Sequence, residues 1–163
     1  MIERRELTKR FDVINPFDMD DFIAHEGYDM LKKALTMDPL KIIDEIQTAR
    51  LTGRGGAGFL TAIKMNSFQT EIGVKYIVCN ADEGEPGTFK DKSIIENLPG
   101  LIIEGMIIAA FVTGATKGFI YLRAEYKYLQ SKLENALIDF YHHKLLGANC
   151  CGISNFNFKI ERN

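Results

Sequence analysis

Apolar residues recur at helical spacing through most of this chain and at strand spacing in a few short places. Residues 9–17 (KRFDVINPF) alternate briefly and predict an edge strand. Residues 18–37 read as mostly helical, with Phe22, Ile23, Leu31 and Leu35 on the apolar side and Gly27 as an interruption. Asp38-Pro39 then restarts a helix, Asp as N-cap and Pro at the first helical position, running to about Arg50. A short helix is predicted over 60–68 and a buried strand over 75–80 (KYIVCN). Two helices follow, DKSIIENL and PGLIIEGMIIAAFVTGA, the second capped by Gly114. A second strand is predicted over 117–125 (KGFIYLRAE). A long amphipathic helix is predicted over 126–146, with Leu129, Leu133, Leu137 and Phe140 on one side. The final FNFKIERN starts a third strand. From residue 75 the order strand, helices, strand, helix, strand predicts a layered α/β sheet with flanking helices.

Composition narrows the function classes. The length of 163 residues suits one domain, and 46% hydrophobic with 26% charged residues is ordinary for a globular chain. A net charge of −2, with Lys and Arg scattered, argues against nucleic acid as the main partner. The longest apolar run (101–115) is short and carries Glu104, which suits a buried helix and not membrane insertion. The N-terminus has no apolar core of a signal peptide. Three cysteines, two adjacent, make no disulfide framework, so a reduced, cytoplasmic setting is expected. The three histidines suggest no metal site.

Two loops carry the candidate chemistry. In GRGGAGF (53–59), Gly53, Gly55 and Gly58 match the G-x-G-x-x-G spacing of a dinucleotide-binding turn. A Rossmann turn needs a strand immediately before it, and the preceding IIDEIQTAR is amphipathic helix. The loop still suits an anion, because side-chain-free positions let backbone N–H groups approach phosphate and a helix starts behind them. Arg54 and Lys64 could balance the charge; a flexible connector bearing two surface cations is the alternative. The second loop, NADEGEPGTFKD (80–91), places Asp82, Glu83 and Glu85 just past a strand's C-terminal end, where open α/β sheets put their ligand crevice. Carboxylates there accept hydrogen bonds from ribose or ribityl hydroxyls and from ring amides, and Asn80 can donate and accept. A calcium loop is a rival that lacks the EF-hand spacing, and a solvated acidic turn is the plain alternative.

Together, RGGAGF and NADEGEPGTFKD resemble the flavin- and NADH-binding subunit of respiratory complex I and of the diaphorases of NAD-reducing hydrogenases and formate dehydrogenases. The resemblance continues through IIEGMIIAA, GFIYLRAEY and LLGANCCGISNFNFKIE and reaches back to GYDMLKKALTM. GFIYLRAEYKYL is slightly more similar to the soluble hydrogenase and formate dehydrogenase branch. The resemblance implies a non-standard flavin-binding fold and hydride transfer between NADH and FMN, feeding iron–sulfur clusters in a multisubunit oxidoreductase. It implies FMN contacts from Gly53, Arg54, Gly55, Gly56, Lys64, Asn80, Asp82 and Glu83, and NADH contacts from Phe59, Phe68 and Glu85. Residues 1–50 would form an N-terminal helical segment and 51–163 the FMN/NADH-binding domain.

Some positions depart from that family. Thr52 stands at a usual arginine; Leu60, Ala62 and Met65 replace a common Pro, Gly and Trp; Ala124 replaces a glycine. The family's later Cys-Gly-Glu-Glu signature and its C-x-x-C-x-x-C cluster cysteines have no counterpart in these residues, and the adjacent Cys150 and Cys151 cannot supply that spacing. Cys79 reads as a small buried hydrophobe. The expectation is a C-terminally truncated domain that binds FMN weakly or not at all by itself. The alternative function is a non-catalytic remnant or split fragment that needs a partner chain. A half-built final strand points the same way, because open sheet edges favour association.

Overall fold

A computed structural model describes residues 5–25 and 27–161. In chain order the elements are α1 (Met19–Ala24), α2 (Asp29–Leu35), α3 (Pro39–Thr48), α4 (Thr61–Gln69), β1 (Tyr76–Ala81), α5 (Lys90–Asn97), α6 (Pro99–Thr113), β2 (Lys117–Leu122), a 3₁₀ segment (Ala124–Leu129), α7 (Gln130–His142) and β3 (Lys159–Glu161). A further 3₁₀ turn covers Cys150–Gly152.

Local signals set most of these boundaries. The Asp38 carboxylate accepts the Leu40 N–H at 2.8 Å, with Pro39 opening α3, so the restart predicted there is present. Gly27 separates α1 from α2 because a Cβ there would strike the Phe22 ring and carbonyl. Gly114 ends α6 in a left-handed conformation (φ 73°), its N–H donating to the Ala110 carbonyl at 2.8 Å.

The three strands are parallel, in the order β1-β2-β3, with Tyr76 opposite Lys117 and Lys117 opposite Lys159. Parallel crossovers are right-handed, so two successive crossovers stepping in the same direction leave their helices on the same face of the sheet. Burial follows that rule. Ile77, Cys79, Ile120 and Ile160 pack against Ile103, Met106, Ile107, Leu137 and Phe140 of α6 and α7. On the other face Tyr76, Val78 and Tyr121 are 47%, 59% and 61% exposed.

α6 is the axle of the fold. It packs against α2, α3, α4, α5, α7, β1 and β2, which explains why its sequence is apolar all round. The Glu104 carboxylate, buried within it, accepts the Leu31 N–H at 3.0 Å and so satisfies an N-terminal donor of α2, which no side chain of its own caps. Burial pushes Glu104 up from its ordinary value, against opposing contributions from the Leu31 and Tyr28 N–H groups and Arg10. On the opposite side of the sheet's N-terminal end, the Lys75 ammonium donates to the carbonyls of Gln69 and Thr113, at the last turns of α4 and α6 (3.1 and 3.0 Å). No single helix among the described residues is long and apolar enough to cross a membrane. α5 and α6 qualify only as a pair, bent by 101°, and α6 is mostly buried.

Four sequence expectations are corrected. Residues 9–17 form turns, not an edge strand: Phe11 and Ile14 donate to the Thr8 and Arg10 carbonyls, Asp12 is left-handed, and Pro16 has no N–H for a ladder. The β1 strand packs on the core through one face only, its other face carrying the exposed Tyr76, Val78 and Asn80. The second strand stops at Leu122, where the chain turns into the 3₁₀ segment. The predicted 126–146 helix is therefore a 3₁₀ turn followed by α7. It ends at His142, because Lys144 turns left-handed (φ 57°) and Leu146 folds back into the core. The third strand forms at Lys159–Glu161, and residues 162–163 of its predicted span lie outside the described residues.

Gly118 sits where the sheet is pressed hardest. A Cβ there would lie 2.7 Å from the Phe158 ring, 3.1 Å from Met106 and 3.2 Å from Ile160. Gly118→Ala is expected to lower stability by about 1–3 kcal/mol, seen as a lower urea midpoint at unchanged slope. A midpoint at or above that of the wild type would contradict this packing.

Candidate functional site

The glycine loop hangs between α3 and α4. Its base is closed by antiparallel pairing of Thr52 with Leu60, with the Gly53 N–H donating to the Phe59 carbonyl and the Thr61 N–H to the Leu51 carbonyl, each at 2.9 Å. Among the described residues, the N–H groups from Arg54 to Gly58 find no acceptor, so they are left to solvent. Gly56 has φ of 107°, which demands glycine, Gly58 is left-handed at 63°, which favours it, and a Cβ at 55, 56 or 58 meets nothing within 4 Å. The loop is thus an open nest of donors. α4 starts directly behind it without a side-chain cap, and Lys64 lies in its first turn. The element before the loop is helix α3, so this is no Rossmann turn.

Lys64 and Phe68 of α4, Ile77 of β1 and Thr113 of α6 line an open groove of about 300 Å³ at the outer edge of β1, which Tyr76 and Val78 of the bare face also reach. Asn80 continues that face two residues beyond Val78. Its Oδ1 accepts the Asp82 N–H at 3.0 Å, which turns the chain out of the strand. Beyond it, the Thr88 N–H and hydroxyl both donate to the Glu85 carbonyl (3.2 and 2.6 Å), closing a tight turn that leaves Glu85 exposed. The structure therefore brings Lys64 and Phe68 together beside β1, while Asn80 lies outside the groove lining, further along the strand. Arg54, Phe59 (57% exposed), Asp82 and Glu85 are solvent-facing and lie outside the groove lining.

Glu83 is placed differently from its neighbours. It is buried, and its carboxylate accepts the N–H groups of Asp91 (3.0 Å) and Lys92 (3.3 Å) in the first turn of α5 and the Tyr126 hydroxyl (3.0 Å). Its carbonyl accepts from the Arg123 guanidinium. Burial alone would raise its pKa. The two N–H bonds, the tyrosine and Lys90 outweigh burial and hold it below the ordinary carboxylate value. Sequence reasoning gave Arg123 and Tyr126 no role; their only signal was their place in LRAEY, directly after β2. The thiols offer no nucleophile. Burial pushes Cys79 and Cys151 up to about 11, Asp91 adding to the first and Cys150 to the second. Among the described residues no three His, Cys, Asp or Glu side chains group to hold a metal ion.

Residues 46–161 match the profile of the Nuo51 FMN-binding domain. The chain belongs to that family. It is 42% identical over 163 residues to the NADP-reducing hydrogenase subunit HndC of Solidesulfovibrio fructosivorans, covering 98% of this chain and 33% of that protein. It is also 42% identical over 154 residues to a subunit of the NADH-quinone oxidoreductase of Aquifex aeolicus, covering 94% and 36%. Among solved structures, an H2-reduced NAD+-reducing [NiFe]-hydrogenase superposes with a TM-score of 0.65 at 38% identity, over 82% of this chain and 22% of that one. The chain spans about a third of the length of the curated relatives it matches.

Glu83 makes the family fold acid-sensitive. Its folded pKa is depressed, so its stabilisation is present above the ordinary value of 4.5 and is lost as pH falls through the lower folded value. Glu83→Gln is expected to cost about 1.5–3 kcal/mol at neutral pH. The gap between wild type and variant should close as pH drops below that ordinary value. Glu104, shifted the opposite way, is common to both proteins and cancels. Urea midpoints measured across this range check it; a gap independent of pH would refute the assignment.

Proposed function

We propose that this chain holds FMN and faces NADH within an NADH-oxidising or NAD-reducing flavoprotein, and that it works alongside other subunits of a multisubunit oxidoreductase. The observation that carries this reading is the glycine nest running into the uncapped N-terminus of α4, with Lys64 in its first turn and Asn80 on the adjoining sheet face. Its chemistry fits the phosphate end of a flavin nucleotide. Arg54, Gly55 and Gly56 supply free backbone donors and Arg54 a cation, Gly53 anchors the loop through its bond to Phe59, and Lys64 is a second cation. Asn80 and Asp82, at the C-terminal end of β1, take ribityl hydroxyls or ring amides. Glu83 serves from beneath, by holding its loop. Phe59 and Phe68 offer exposed rings for a nucleotide base, and Glu85 an exposed carboxylate for hydroxyls of the nicotinamide nucleotide. A bound flavin supplies the two-electron acceptor for hydride and the one-electron donor to iron–sulfur clusters. Helices α2 and α3 buttress α6 and carry none of the assigned ligand groups, while residues from 51 carry all of them.

A second reading retains weak binding and drops turnover, so that a partner chain completes the site. The uncovered sheet face favours it.

Flavin fluorescence titration tests the phosphate cradle. FMN should bind weakly but more tightly than riboflavin, which lacks the phosphate. Lys64→Met should remove most of that preference, a loss of about 10–100-fold for a hydrogen bond to a charged group. Equal affinity for FMN and riboflavin, or none for either, would sink the cradle. NADH–ferricyanide turnover by the chain alone would eliminate the second reading.

A further inference from the structure

We propose that Arg123 and Tyr126 are positioning residues that clamp Glu83 from two sides and thereby hold the ligand-facing loop 82–88 at the C-terminal end of β1. The inference rests on the flavin and NADH reading of that loop. Arg123 follows β2 directly. Its N–H donates to the Ala81 carbonyl at 3.2 Å, which ties it to the last residue of β1. From there one guanidinium nitrogen donates to the Glu83 carbonyl, and the other pairs with the Glu125 carboxylate at 2.7 Å. Glu125 thus orients the guanidinium, leaving one edge of its fork for the loop backbone.

Tyr126 approaches the same residue through its side chain, the hydroxyl donating to Glu83 Oε2 at 3.0 Å. That oxygen also accepts the Lys92 N–H, and Oε1 accepts the Asp91 N–H. Glu83 is therefore fixed at its backbone by Arg123 and at its carboxylate by Tyr126 and α5. An exposed ion pair such as Arg123–Glu125 has little effect alone. The bonds to Glu83 differ because its side chain is only 2% exposed and neither end can exchange freely with water.

The residues on either side of this anchor have few other restraints. Asp82 is held by the Asn80 side chain and by the Gly84 N–H, Glu85 by the Thr88 turn. Their carboxylates are exposed and face no part of the core. One buried residue thus sets where two ligand-facing ones stand. Loosening it would make binding order the loop at the expense of affinity.

Hydrogen exchange of residues 82–88 in the ligand-free chain, paired with FMN titration, tests this in Tyr126→Phe, Arg123→Met and Arg123→Lys. Tyr126→Phe and Arg123→Met should each speed exchange in the loop and weaken FMN by about tenfold, one hydrogen bond's effect. Arg123→Lys, which retains a donor for the carbonyl, should recover part of the loss. In a Glu83→Gln background, Tyr126→Phe should add little, because both act through the same carboxylate. Unchanged exchange in both variants overturns the clamp itself. A loosened loop with unaltered FMN affinity overturns the loop's part in flavin binding, on which the positioning role depends.

Discussion

The handedness of parallel crossovers organises this molecule. Because β1, β2 and β3 lie in chain order, the right-handed connections through α5–α6 and through α7 return on the same face. That face becomes the core, with α6 at its centre. The other is left with Tyr76, Val78 and Tyr121 in solvent. Asn80 belongs to this bare face, and Tyr76 and Val78 reach from it into the groove that α4 and α6 form at the outer edge of β1.

Two buried glutamates then connect the helices to that frame. Each lends its carboxylate to N–H groups at the start of a helix it does not belong to: Glu104 to α2 and Glu83 to α5. Such donors are orphaned by helix geometry and need an acceptor when buried. The balance differs at the two sites. Burial dominates at Glu104 and pushes it up, whereas at Glu83 the N–H groups, Tyr126 and Lys90 outweigh burial. Glu104 sits in the middle of the fold and joins two helices. Glu83 sits between the acidic loop and α5, so the same device that completes a helix also places the loop's exposed carboxylates.

The candidate site was legible in the sequence to the extent that local chemistry reports it. Gly56 requires glycine for its φ of 107°, and Asp38-Pro39 caps a helix by itself. Glu83 was not separable from Asp82 and Glu85, because three acidic residues in one short loop look alike until burial distinguishes them. Arg123 and Tyr126 were silent for a related reason: they lie about forty residues from Glu83 in the chain, and only the pairing of β1 with β2 brings them together.

The sequence by itself determined the start of α3, the end of α6, the order of strands and helices from β1 onward, and the helix before the glycine loop, because caps, glycines and hydrophobic period act over a few residues. Tertiary structure alone decided three things. It exposed one face of β1, turned residues 9–17 away from strand pairing, and broke the last helix into a 3₁₀ turn and α7. It also assigned Glu83 to the interior. The bare face of β1 and the burial of Glu83 depend on which elements meet across the sheet, and that follows from crossover handedness and packing around α6, not from any local run of residues.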